Sequence, residues 1–183
     1  MEGLDIYMGL KGVLYNLKGF YKFGDISSKI RGKVFVNKMG EIRVGKNLSI
    51  VGHPWAVQIT STKGATLTIG NHVYVNAGVG IAANKEIIIG DHVKIGPRTS
   101  IFDSNYHRLD STDKGELSKK IVIGNNVWIG ADCTILPGVT IGDNAVIAAK
   151  STVNKDIPNN VLAGGSPAKV IRELIIEDGW VRD

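Results

Sequence analysis

An aliphatic residue recurs every six positions over much of this chain, and no other feature limits the possible folds as strongly. The repeat begins at Ile69, shifts its phase twice, and then continues without interruption. The aliphatic positions of the uninterrupted stretch are Ile123, Ile129, Ile135, Ile141, Ile147 and Val153. A six-residue period drifts off any face of an α-helix, and the regularly spaced glycines weaken helices further. The pattern therefore excludes a mainly helical fold.

Turn-prone pairs follow the repeated aliphatic residues too often for ordinary β-hairpins. These pairs are Gly70-Asn71, Gly90-Asp91, Gly124-Asn125 and Gly142-Asp143. The pattern instead predicts a solenoid of very short strands, in which three hexads close one triangular coil. The aliphatic side chain fills the interior, and the fourth residue after it, usually small or β-branched, also points inward. A narrow interior explains why the chain has 23 glycines and only 7% aromatic residues. We therefore expect an all-β fold, a parallel β-helix.

Length, cysteine content and charge limit the number of domains, the cellular compartment and the binding partners of this protein. The 183 residues suffice for one domain, and the single cysteine with no recognisable signal peptide indicates a reducing cytoplasm. No apolar run is long enough to span a membrane. The net charge of +5 permits an anionic partner, but no nucleic-acid-binding motif accompanies it, so we expect no nucleic acid.

Four motifs in the C-terminal half carry a resemblance to a known family. NNVWIG, PGVTIGDN, VNKDIP and GGSPAKVIRE occur in this order between residues 123 and 174. In them the chain resembles the galactoside/maltose-type O-acetyltransferases of the hexapeptide-repeat acyltransferase superfamily. The resemblance implies a left-handed β-helix and a homotrimer with active sites between subunits. It also implies acetyl transfer from acetyl-CoA to a sugar hydroxyl, without a metal.

The same reasoning divides the chain into three parts. Residues 1–30 form an N-terminal capping segment with a short helix, and residues 31–160 form the left-handed β-helix. A loop at 102–121 protrudes from the β-helix where the repeat is interrupted. Residues 161–183 form a C-terminal tail that covers CoA.

The interrupted segment contains the candidate catalytic histidine, His107. From the residues alone, a loop histidine is either an exposed surface group or a general base, because imidazole titrates near neutral pH. The resemblance favours the base, since His107 matches the catalytic histidine of the family in order and in distance from NNVWIG. The acetyl group is then expected to pass directly from acetyl-CoA to the acceptor hydroxyl, with backbone N–H groups stabilising the oxyanion of the tetrahedral intermediate. Asp103 either fixes the tautomer of His107 or is a solvated loop carboxylate.

The resemblance also supplies candidate acceptor and cofactor contacts. Asn76 matches a substrate-side asparagine of the family, and Asn84 stands where related sugar acetyltransferases have an acceptor-binding aspartate. Tyr106, beside His107, is a further acceptor contact. The candidate CoA contacts are Trp128, Ala131, Ala149, Lys155 and Arg172. Small side chains let the pantetheine arm approach the backbone, and cations suit its phosphates.

Other polar residues fit structural roles better. Cys133 occupies an inward hexad position, which predicts a buried thiol, and His72 and His92 occupy turns. His72, His92 and His107 do not offer the ligand pair that a hexapeptide carbonic anhydrase needs for zinc. His53 has no assigned function.

Two questions stay open at this stage. The segment 6–24, rich in Tyr and Phe with Lys11, Lys18 and Lys22, either caps the first coil or makes weak contact with a membrane surface. The acceptor is a sugar or polysaccharide precursor. The alternatives are an antibiotic or other xenobiotic, a nucleotide-linked amino sugar acetylated on nitrogen, or no reaction at all in a binding prism.

Overall fold

The structure, a computed structural model, describes residues 2–108 and 110–182, with side chains from residue 12 onward. One helix, α1 (Glu2–Phe23), precedes strands β1 (Lys29–Lys38), β2 (Glu41–Val44), β3 (Ser49–Ser61), β4 (Thr66–Ile69), β5 (Tyr74–Val75), β6 (Gly80–Ala83), β7 (Glu86–Ile89), β8 (Lys94–Ile95), β9 (Ser100–Phe102), β10 (Ile121–Ile123), β11 (Trp128–Ile129), β12 (Thr134–Ile135), β13 (Thr140–Ile141), β14 (Val146–Ile147), β15 (Thr152–Val153), β16 (Val161–Gly165) and β17 (Ala168–Glu173).

The strands stack into the three faces of a prism. Face one consists of β2, β4, β7, β10 and β13; face two of the start of β3 with β5, β8, β11, β14 and β16; face three of the end of β3 with β6, β9, β12 and β15. Strands of successive coils pair in parallel, whereas β17 returns antiparallel to β16. The expected parallel β-helix is therefore confirmed.

The interior consists of the residues that the hexad pattern predicted. The repeated aliphatic residues are buried, as Ile95, Ile129 and Ile147 illustrate, and so are the positions four residues later. Polar groups at these inward positions have partners: Thr99 Oγ1 donates a hydrogen bond to the Gly130 carbonyl at 2.8 Å. Cys133 is buried as predicted. Aliphatic side chains at matching positions stack along the prism, which explains why the repeat tolerates so few aromatic residues.

Three corners connect the faces of the prism. The groove corner joins face two to face three, and the loop corner joins face three to face one. The ladder corner joins face one to face two and carries a column of residues with positive φ. This column consists of Asn47, His72, His92, Asn126, Asn144 and Asn160, with φ between 54° and 59°. His72 and His92 occupy turns as predicted, but their rings stack with centroids 4.8 Å apart, so the sequence reasoning was wrong that no two of these histidines lie close together.

A long insertion leaves the prism at the loop corner. Ile101 pairs with Ile135, 34 residues later, whereas Ile135 pairs with Val153, 18 residues later. The coil between Ile101 and Ile135 thus holds 16 additional residues. A bridge between Ser104 and Ser118 closes the base of this loop.

The two ends of the chain pack differently on the prism. Helix α1 lies against the first coil through Gly19, where a Cβ would overlap the Ser28 carbonyl, and Phe23 packs on the core. The C-terminal segment folds back to the ladder corner, where the backbone N–H of Arg182 donates to Asn126 Oδ1 at 2.8 Å. Across the described residues, no helix has the length and mean hydropathy needed to cross a membrane.

Candidate active site

A groove of about 590 Å³ runs along face two toward the groove corner. Its floor is a row of outward side chains in register on successive strands. The row consists of Tyr74, Lys94, Trp128, Val146 and Leu162. Each of these residues immediately precedes an inward aliphatic or small residue, so the pleat directs it outward. Trp128 is 46% exposed and presents a wide apolar surface to the groove.

The edge of the groove consists of small residues because the coils approach closely there. A Cβ at Gly130 would lie only 2.6 Å from the Ala149 nitrogen, and one at Gly96 only 2.5 Å from the Gly130 carbonyl carbon. Ala131 and Ala149 complete this edge. The structure thus brings Trp128, Ala131 and Ala149, three of the candidate CoA contacts, together in one groove. A long, flexible ligand with amide groups fits such an edge, because small side chains leave the backbone accessible.

Asn76 lies at one end of the same groove. The side-chain Oδ1 of Asn76 accepts a hydrogen bond from the backbone N–H of Ala77 at 2.8 Å. The backbone N–H of Asn76 donates to the Ile95 carbonyl at 3.0 Å. These bonds fix the side chain. Its Nδ2 has no partner among the described residues and is left to donate to a ligand.

Asp103 anchors the inserted loop to the neighbouring coil. Its carboxylate, completely buried, accepts hydrogen bonds from the backbone N–H groups of Asn84, Lys85 and Glu86 at 2.7, 2.8 and 2.8 Å. The Asp103 carbonyl also accepts a bond from the Lys119 N–H at 2.8 Å. Within residues 2–108 and 110–182, no hydrogen bond joins its carboxylate to the His107 ring. The contacts of Asp103 are therefore those of a residue that positions the loop and the turn at Asn84.

Asn84 and Tyr106 meet directly on the surface. Asn84 Nδ2 donates a hydrogen bond to Tyr106 Oη at 3.2 Å. Both line a cavity of about 390 Å³ on face three, together with Phe102. Tyr106 has a positive φ of 59°, and its N–H donates to Ser104 Oγ at 3.1 Å. This turn presents the next residue, His107, to solvent.

Within one chain, the two groups of candidate residues lie apart. Asn76, Ala131 and Ala149 are at or near the groove corner, where face two ends. Asn84 and His107 are at the loop corner, where face three ends. The width of face three therefore separates the exposed histidine from the groove of its own chain.

Comparisons with known proteins agree with this architecture. The model of the family described as bacterial transferase hexapeptide (six repeats) matches residues 120–155. WcaF of Escherichia coli, which is named as a colanic acid biosynthesis acetyltransferase, is 33% identical over 150 residues, covering 79% of this chain and 76% of WcaF.

The chain belongs to the hexapeptide-repeat acyltransferase superfamily.

Other members of the superfamily match with different coverage. Galactoside O-acetyltransferase of Escherichia coli is 46% identical over 115 residues, 61% of this chain, and the match covers only 56% of that relative's length. A hexapeptide-repeat acetyltransferase of Vibrio cholerae, solved with acetyl coenzyme A, has a TM-score of 0.58 at 33% identity, over 86% of this chain and 74% of the other. The polysialic acid-specific acetyltransferase NeuO has a TM-score of 0.70 at 29% identity, over 85% and 66%.

The two candidate phosphate-binding cations occupy different places in this hexapeptide-repeat protein. Arg172 is exposed on β17 and pairs with Leu162, which lines the groove. Lys155 is exposed two residues after β15, at the loop corner. Arg172 therefore lies beside the Leu162 end of the groove without lining it, whereas Lys155 lies at another corner of its own chain.

Several groove residues were missed by the sequence reasoning. Lys94 and Tyr74 lie in register with Trp128 along the floor, and their position before an inward aliphatic residue was an available signal. Arg98 and Asp132 form a two-point ion pair at the groove corner, with both N–O distances 2.6 Å. The guanidinium of Arg98 lowers the pKa of Asp132 through these bonds and also lies 4.8 Å over the Trp55 ring. No sequence signal indicated this cluster, because Arg98 and Asp132 are 34 residues apart.

Proposed function

We propose that this protein is an acetyl-CoA-dependent O-acetyltransferase whose acceptor is a hydroxyl of a sugar or polysaccharide precursor. The groove on face two carries this proposal, since it combines the exposed ring of Trp128 with the small-residue edge at Ala131 and Ala149. The names of WcaF and galactoside O-acetyltransferase support an acetyl transfer and a carbohydrate acceptor.

Several residues of this chain fit the binding of CoA. Trp128 offers an apolar surface, and the edge at Gly130, Ala131 and Ala149 allows close approach to the backbone. Arg172, at the Leu162 end of the groove, supplies positive charge for phosphate groups. Acetyl-CoA brings an acetyl group activated as a thioester. The side chains that act on the acceptor must then come from the inserted loop.

His107 is the proposed general base. Its loop position and exposure leave the imidazole free to accept the proton of the acceptor hydroxyl. Asn76 Nδ2 is free to donate a hydrogen bond to substrate. Cys133 does not serve as a covalent nucleophile in this proposal, because it is buried, burial raises the pKa of its thiol, and its Sγ donates to the Ala148 carbonyl at 3.2 Å. Transfer is therefore direct, from the thioester to the hydroxyl.

The proposal includes a homotrimer with each active site shared between two subunits. The separation of His107 from the groove of its own chain supports it, since a neighbouring prism can place its loop corner beside the groove corner of the next. Lys155, also at the loop corner, then reaches the neighbour's groove. The free thiol of Cys133 fits a reducing compartment, and we propose the cytoplasm.

A complementation experiment tests the shared site. We expect His107→Ala and the groove-filling variant Ala131→Trp each to be inactive alone. Co-expressed with different tags and purified as mixed oligomers, they should regain activity, because some sites combine an intact loop with an intact groove. Mixed oligomers that stay inactive would show that each site lies within one chain.

An acceptor screen tests the function itself. Release of free CoA is measured with sugars, oligosaccharides, nucleotide-linked amino sugars and antibiotics. The proposal predicts activity with a sugar hydroxyl and a product that mild alkali hydrolyses, as expected for an ester. An alkali-stable amide product would instead support N-acetylation. Absence of acetyl-CoA binding would overturn the transferase proposal.

A further inference from the structure

The outer side of helix α1 exposes large apolar side chains next to the first coil. Tyr21 is 85% exposed, and four more residues are more than half exposed. Together they form the α1 apolar stripe, which consists of Val13, Leu14, Leu17, Phe20 and Tyr21. Neither the proposed groove nor the loop corner uses these residues.

Helical geometry makes the stripe continuous. At 3.6 residues per turn, its five members fall within an arc of about 120°. Gly19 and Phe23, which contact the first coil, lie on the opposite side of the helix. The helix therefore has one face that packs on the prism and one apolar face that does not.

Cationic side chains border this stripe on one side. A groove of about 440 Å³ separates α1 from β1, and Lys18, Lys22 and Lys33 line it with Leu17 and Phe35. Its described lining contains no acidic residue. Exposed apolar side chains beside lysines, without an acidic residue in the described lining, favour a binding partner that has both apolar and anionic groups.

We propose that the α1 apolar stripe and these three lysines bind the surface of an anionic phospholipid membrane. The apolar side chains enter the boundary between head groups and acyl chains, while the lysines face the head-group phosphates. The aromatic ring of Tyr21, with Lys22 Nζ 5.9 Å from its centroid, suits the interfacial region. The helix lies in the plane of the interface and does not cross it.

Charge argues for lipid over a second copy of this chain. Two copies joined through this face by a twofold axis would bring Lys18, Lys22 and Lys33 against the same lysines of the partner. An anionic bilayer offers the opposite charge to all three. This inference does not depend on the acetyl transfer proposed above.

The test is co-sedimentation of the full-length protein with phosphatidylcholine vesicles, with and without about 30% phosphatidylglycerol. We expect binding to the anionic vesicles only, and weaker binding at about 0.5 M salt. Each lysine near an anionic surface contributes roughly fivefold to binding, so Lys18→Gln with Lys22→Gln should weaken it by about 25-fold. Leu17→Gln with Tyr21→Gln, which removes apolar contact with the bilayer, should abolish sedimentation.

The matched control is Lys46→Gln with Lys63→Gln, which removes the same charge from exposed corners outside the stripe. It should bind as wild type does. Thermal unfolding of every variant shows that the fold is retained. Equal loss in control and test variants, or no binding of the wild type to anionic vesicles, would overturn the proposal. If the wild type does not bind vesicles and the stripe variants change the oligomer mass, the stripe is an interface between copies of this chain. That result would also overturn the proposal.

Discussion

Asp103 holds the turn that carries Asn84. One carboxylate oxygen of Asp103 accepts the Asn84 N–H at 2.7 Å, and the other accepts the N–H groups of Lys85 and Glu86 at 2.8 Å. The carboxylate is fully buried and lies at the base of the inserted loop. It therefore couples the position of the loop that bears His107 to the turn that forms one wall of the face-three cavity.

Replacing Asp103 should destabilise the protein. Asp103→Ala leaves three backbone donors without their acceptor, and we expect the free energy of unfolding to fall by about 3 kcal/mol. Denaturant titration measures this loss. Glu177→Ala, an exposed carboxylate whose side chain makes no hydrogen bond among the described residues, is the control and should change stability by less than about 0.5 kcal/mol. Equal stabilities for the two variants would show that the Asp103 bonds contribute little.

Trp128 should act on cofactor binding more than on turnover. Trp128→Ala removes the exposed ring from the groove floor, and we expect the KM for acetyl-CoA to rise about tenfold while kcat changes little. Steady-state kinetics with varied acetyl-CoA separate the two parameters. Trp180→Ala removes a similarly exposed indole that does not line the groove, and should leave the KM unchanged. A similar increase in both variants would argue against a specific contact at Trp128.

Two glycine substitutions should affect stability in opposite directions. In Gly130→Ala the new Cβ would lie 2.6 Å from the Ala149 nitrogen, so the coils must separate. We expect a loss of about 2 kcal/mol, within the usual range for overpacking. In Gly12→Ala the new Cβ has no neighbour within 4 Å, and alanine favours the helix by up to about 1 kcal/mol. Thermal unfolding of both variants tests this; a tolerated Gly130→Ala would contradict the close packing of the coils.

Cys133 should be chemically inert in the folded protein. Burial raises the pKa of its thiol, so the thiolate that alkylating reagents require is scarce at mildly alkaline pH. Because the folded thiol holds its proton more tightly than the unfolded one, stability is full below the unfolded pKa and declines as the pH rises through the folded value. Iodoacetamide labelling followed by mass spectrometry should show modification only in denaturant. Rapid labelling of the native protein would contradict the burial.

The regular coils could be predicted from sequence, because each hexad from Ile123 to Val153 repeats the same inward contacts. The inserted loop was located at 102–121, but its 16 additional residues follow only from the pairing of Ile101 with Ile135, since a phase shift alone does not say which coil resumes the stack. The early coils are longer: Ile42 pairs with Leu67, and Leu67 with Ile87. Their pattern therefore differs from six-residue spacing.

The site was predictable only in part, for a related reason. Motif position identified Trp128, Ala131 and Ala149, which share one groove. Motif position did not reveal that His107 and Lys155 lie at another corner. The corner at which a residue lies depends on the number of residues in each preceding coil. The pair of Arg98 and Asp132 also depends on which residues the coils bring into register.

The most direct test of the proposed mechanism is the turnover of His107→Ala with saturating acetyl-CoA and the acceptor found in the screen. We predict that kcat falls by about 10²- to 10⁴-fold, the usual contribution of a general base. Acetyl-CoA binding, oligomer mass and thermal unfolding should stay as in the wild type, because His107 is exposed and its ring makes no hydrogen bond among the described residues. A folded His107→Ala protein with wild-type turnover would contradict the assignment of His107 as the base.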